Sequence, residues 1–145
     1  MRPLLCFLLL LSAKTFAAPE GAPTSDPRWA RAQSSYKEGN KGDGHKLLVA
    51  LADSNPGELG LAVACYSTIL EVEGQPLKST PWIDLAADRL MSLEQFGAIS
   101  ANTEVVHEAV SRVIDKALVE GRHLEARATS DRFLQKNPND LYWRI

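Results

Sequence analysis

The sequence predicts an all-α protein built from antiparallel helix hairpins stacked side by side in a short array. Three observations lead there. Glu-Gly is followed 17 residues later by Asn-Pro twice, at Glu38-Gly39 to Asn55-Pro56 and at Glu120-Gly121 to Asn137-Pro138. Glycine closes a helix through a left-handed backbone, and proline stops the next one because it lacks a donor. Apolar residues recur at three- and four-residue spacing, with no sustained period-two alternation, so essentially no sheet is expected. The glycines closing the first helix of each pair fall at 39, 74 and 121, intervals of 35 and 47, so the array is irregular.

In chain order, Arg2, the apolar run Leu4 to Leu11 and Thr15-Phe16-Ala17 read as a secretory signal over 1–17, cut near Ala17. The run is shorter than the ~20 residues a membrane span needs. Cys6 lacks the preceding small residues of a lipidated cysteine. Residues 18–25, with Pro19, Gly21 and Pro23, read as a flexible leader. Asp26-Pro27 starts the first helix, because Asp caps free amides and Pro suits the first helical position; it runs to about Glu38. Lys41 to Gly44 reads as a turn, followed by a helix over Lys46 to Ala52 with Leu47, Leu48 and Leu51 on one face. The third helix, Glu58 to Glu73, is apolar nearly all round and is therefore expected to be buried on several sides. Thr80-Pro81 opens a fourth that ends at Gly97, and Asn102 or Thr103 opens a fifth that ends at Gly121. The sixth runs from about Arg122 to Lys136. The hairpins are thus 27–53, 58–96 and 103–136 in a helical domain 26–145. A fourth starts at Asp140, where Asp140-Leu141-Tyr142-Trp143 repeats the Asp-x-x-Trp of Asp26 to Trp29.

Removal of the signal takes Arg2 and Lys14 with it and leaves 14 basic against 18 acidic residues, scattered in both signs. That pattern carries no electrostatic footprint for nucleic acid or anionic lipid. Cys65 is then the sole cysteine, so no intrachain disulfide forms and stability rests on packing.

Trp29, Ala32, Gln33, Tyr36, Gly39, Gly44 and Pro56 in the first hairpin, and Gly121, Ala126, Phe133 and Pro138 in the last, resemble the tetratricopeptide-repeat (TPR) pattern. Gly44 and Ala126 are equally placed after their turns, where small side chains let paired helices approach closely. The pattern departs from the family at Gln33, Ile114 and Ser130, and the middle hairpin hardly matches. The resemblance implies a right-handed α-solenoid, TPR-like, whose first helices line a concave face.

The residues that carry chemistry are sparse. His107-Glu108 lacks the second histidine of a zinc-protease helix, because Ser111 stands one turn on. His45 and His123 follow turns and are expected to be solvated or capping, while Cys65 sits among apolar neighbours as a core residue. No nucleophile elbow, phosphate loop or dinucleotide fingerprint occurs, so no catalytic residue, metal or cofactor is expected. Arg122, Arg127, Arg132 and Lys136 read as a solvated face, and Asp84, Asp88 and Glu94 stand at surface spacing.

By analogy with the resembled family, a partner-binding groove would use Trp29, Gln33, Lys37, Thr68, Arg112 and Asp115, although Trp29 suits the core equally well. The expectation is a secreted or periplasmic, non-catalytic scaffold for a protein or peptide partner, with no nucleic acid and no membrane segment after signal cleavage. Two other readings stand beside it: the N-terminal helical arm of a larger exported cell-envelope enzyme, and a structural helical protein that self-associates through its C-terminal end.

Overall fold

The computed structural model describes residues 25–76, 78–95, 97, 99–100, 103–136 and 138–139. The signal, nearly all of the leader and the start of a fourth hairpin lie outside them. The described residues form six helices and no strand: α1 (Pro27–Lys37), α2 (Lys41–Asp53), α3 (Leu59–Glu73), α4 (Pro81–Gln95), α5 (Glu104–Val119) and α6 (His123–Lys136).

The start of α1 follows from its cap: Asp26 Oδ1 accepts the Arg28 amide at 2.8 Å, and Pro27 occupies the first turn. Its end and that of α5 are the same local structure. Gly39 donates to Tyr36 O at 3.1 Å and Asn40 to Ser35 O at 2.8 Å; Gly121 donates to Leu118 O at 3.1 Å and Arg122 to Ala117 O at 2.8 Å. These paired bonds define a Schellman motif, and both glycines take the positive φ it requires, 81° and 74°. The duplicated Glu-Gly phrase therefore encodes a duplicated turn.

The expected turn at Lys41 to Gly44 is instead the first turn of α2, so that helix begins five residues earlier than the apolar pattern suggests. Gly44 is helical because Tyr36 of α1 lies against it: a Cβ there would come within 2.2 Å of the tyrosine ring. Packing of the two helices overrides glycine's modest disadvantage in a helix. His45, expected in solvent, is consequently carried inward and is 0% exposed.

Each helix packs on its neighbour in chain order, α1 on α2 through α5 on α6. One core joins α1 to α4 and reaches α5 at Ala109, with Leu48, Leu51, Ile69, Ile83 and Leu90 at its centre. A second unites Val106, Val110 and Ile114 of α5 with Ala126 and Phe133 of α6. Met91 and Ile99 pack against both cores.

Side chains also join helices two apart. His45 of α2 meets Trp82 of α4 with ring centroids 5.2 Å apart. Arg112 of α5 reaches the carbonyl of Gly74 at the end of α3. Glu94 of α4, expected at the surface, is buried and takes Lys136 and Arg132 of α6 as ion partners. The cationic face read along α6 is therefore partly turned inward, where both cations also lie over the Phe133 ring.

Candidate partner-binding groove

On α5, Glu104, Glu108, Arg112 and Lys116 recur every four residues, so they stand above one another on one helical face. On α3, Ser67, Leu70 and Glu71, with Gly74 at its C-cap, lie three or four residues apart and share one face. These two faces border a cleft of about 480 Å³, floored by Leu70 and Val105. Further along α5 a second cleft of about 340 Å³ opens between Arg112, Asp115, Lys116 and Val119 on one side and Pro76, Lys78 and Ser79 of the α3–α4 connection on the other.

Arg112 divides the two. Its Nη2 donates to Gly74 O at 2.5 Å and to Glu108 Oε1 at 2.7 Å, and its side chain is only 14% exposed. The guanidinium crosses from one wall to the other and donates to one of the carbonyl acceptors left free at a helix end. From Glu104 to Glu120 the α5 face rises about 24 Å, so the two clefts form one divided groove.

The walls are tied by charge. Asp84 accepts from Lys116 Nζ at 2.6 Å and from Ser79 Oγ at 2.6 Å. Partial burial pushes its carboxyl up, but those hydrogen bonds outweigh it and hold the group below its ordinary value; Lys116 is raised in return. At the other end Glu71 and Glu104 line the cleft with no basic side chain lining it beside them, since Arg112 occupies Glu108. The groove thus runs from an acidic end to a mixed one.

Behind the connection lies a part-buried hydrogen-bonded chain that links α1, α2, α3 and the Thr80 cap of α4. Tyr36 Oη lies 3.0 Å from His45 Nδ1, His45 Nε2 lies 2.8 Å from Glu73 Oε1, and Thr80 Oγ1 donates to Glu73 Oε2 at 2.8 Å. An ionised carboxylate only accepts, so Nε2 carries a hydrogen, and when the ring is neutral the phenol donates to the bare Nδ1. Burial raises Glu73, yet the His45 and Thr80 hydrogen bonds win and its carboxyl sits below the usual value. Burial pushes the Tyr36 phenol well above its ordinary value. A protonated phenol whose histidine is fully engaged on both nitrogens acts as a tie between helices. Burial also pushes the Cys65 thiol up to about 12, which keeps it protonated and poorly nucleophilic.

Of the six residues named from sequence, Arg112 and Asp115 line the groove together. Trp29 is 6% exposed and belongs to the core, as its signature position also allowed. Thr68 is buried as well: α3 packs on several sides, and the hydroxyl turns back to Ala64 O at 2.8 Å. Both residues are therefore corrected to core positions. Gln33 is half-buried and Lys37 exposed on α1, and neither lines the groove. Glu104, Glu108 and Lys116 were missed, although their four-residue spacing around Arg112 was readable. The walls from Glu71, Gly74 and Lys78 had no such signal.

Among the described residues no group of three or more His, Cys, Asp or Glu side chains is placed to hold a metal ion, and no helix is long and apolar enough to cross a membrane. Comparison with family models, with curated proteins and with solved structures finds no match.

Proposed function

We propose that this chain is an exported, TPR-like scaffold of short right-handed α-solenoid form that binds an extended segment of a partner protein in the α3–α5 groove. The continuous α5 face, with polar side chains at every turn beside an apolar floor, carries the reading. Packing in chain order and the side-chain ties between helices two apart support the solenoid. Export rests on the leader sequence over 1–17.

A groove of about 24 Å accommodates roughly seven residues of extended chain. Charge complementarity selects a segment that places a lysine or arginine against Glu71 and Glu104. The test is a positional-scanning decapeptide library presented to the full mature chain. Enrichment of basic residues at one end, reversed by the exposed substitution Glu104→Lys and weakened by Asp115→Lys, is expected. Binding that ignores both substitutions, or no binding at all, overturns the proposal.

A further inference from the structure

The groove wall formed by the α3–α4 connection is fastened at both ends. Gly74 O is held by Arg112 at 2.5 Å. At the far end Thr80 Oγ1 accepts the Ile83 amide at 3.2 Å, capping α4, and spends its own hydrogen on Glu73 Oε2 at 2.8 Å. Glu73 therefore touches both fastenings: it is covalently next to Gly74 and hydrogen-bonded to Thr80. Its remaining oxygen is taken by His45, whose ring is fixed in turn by Tyr36 and Trp82.

We propose that Glu73 is the positioning residue of the groove, setting the α3–α4 wall through Thr80 and Gly74 so that Arg112 meets its acceptor. This rests on the groove reading above, but its test needs no partner. His45 Nε2 and the Thr80 hydroxyl both donate to the carboxylate, and with the ring neutral the Tyr36 phenol donates to Nδ1. A side-chain amide at position 73 cannot accept at both atoms. If its nitrogen faces His45, the ring must move its hydrogen to Nδ1 and the Tyr36 phenol loses its acceptor. If it faces Thr80, the hydroxyl must turn its hydrogen away and accept instead, on the oxygen that already caps the Ile83 amide.

His45 and Lys41 of α2 and Thr80, the cap of α4, act on this carboxylate; Tyr36 of α1 and Trp82 of α4 meet it through the His45 ring, and Arg112 of α5 lies beyond Gly74. Glu73→Gln and Thr80→Val in the mature chain are to be compared by amide hydrogen exchange and by ¹⁵N spectra of the His45 ring and the Arg112 Nε. Each variant is expected to speed exchange at Gly74, Ile83 and Asp84, whose amides are hydrogen-bonded at the two ends of the wall, about tenfold, leave Gly39 and Gly121 unchanged, and shift the Arg112 signal. Glu73→Gln alone is expected to disturb the His45 tautomer. Uniform acceleration across the chain, or an unmoved Arg112 signal, overturns the proposal. Should either variant fail to fold, acid titration of the wild-type chain decides: wall amides moving with the midpoint of the Glu73 carboxyl support it, and any other midpoint overturns it.

Discussion

Two kinds of helix connection coexist in this molecule. The turns after α1 and α5 are three residues each, closed by the same pair of backbone hydrogen bonds around a left-handed glycine. The connection after α3 also has a left-handed glycine, Gly74 at φ 66°, but among the described residues no second bond closes a Schellman motif there: its amide returns to Leu70 O. Side chains from distant parts of the chain hold it instead, His45 and Arg112 from 28 and 38 residues away. Local turns are self-sufficient and place helices; a connection held from afar leaves space beside it. The groove lies along the second kind.

The contrast can be broken at its strongest point first. His45→Ala removes a fully buried ring and strands Glu73 and Tyr36, so a loss of about 4 kcal/mol in urea unfolding is expected. A loss under about 1 kcal/mol would mean the buried chain does not hold the first hairpin to α3 and α4. Next comes the approach of α1 to α2. Gly44→Ala drives a Cβ into Tyr36 and is expected to cost about 2 kcal/mol. Gly42→Ala in the same helix meets nothing within 4 Å and is expected to stabilise by about 0.5 kcal/mol, so the pair separates crowding from helix propensity.

Smaller still are the two repeated turns themselves. Gly39→Ala and Gly121→Ala each force a positive φ on a residue with a Cβ, with no neighbour in the way. Both should cost about 1 kcal/mol and agree with each other, which checks directly that the duplicated phrase is a duplicated structure. Mild acid gives the gentlest probe. Glu73 and Asp84, which fasten the α3–α4 connection, both have lowered carboxyl values, against ordinary values of 4.5 and 3.8. Their stabilisation is complete above those ordinary values and is lost as pH falls through the lower folded ones. Backbone-closed turns have no such dependence. Amide protection, corrected for the intrinsic slowing of exchange in acid, should therefore fall at Ile83 and Asp84 before it falls at Gly39 or Gly121.

The same division explains what was legible in the sequence. Helices, their glycine stops and the Thr80-Pro81 and Asp26-Pro27 starts were readable because caps and turns are local chemistry. The early start of α2 was not, because Gly44 reads as a turn residue until Tyr36 is known to lie against it. Glu94 and His45 looked like surface residues, since their partners, Lys136 and Glu73, are 42 and 28 positions away. Arg112 and Asp115, named by analogy with the resembled family, line one cleft beside α5, whereas Thr68 is buried because α3 is apolar on several sides and its small polar residue satisfies itself on its own helix.

The most direct measurement is an amide chemical-shift map of the mature chain titrated with lysine-containing decapeptides from the library. The account predicts shifts confined to Ser67 to Ser79 and Glu104 to Glu120, largest near Glu71 and Glu104 and abolished by Glu104→Lys. Shifts centred on α1 and α2, or a spectrum that no peptide moves, would contradict it.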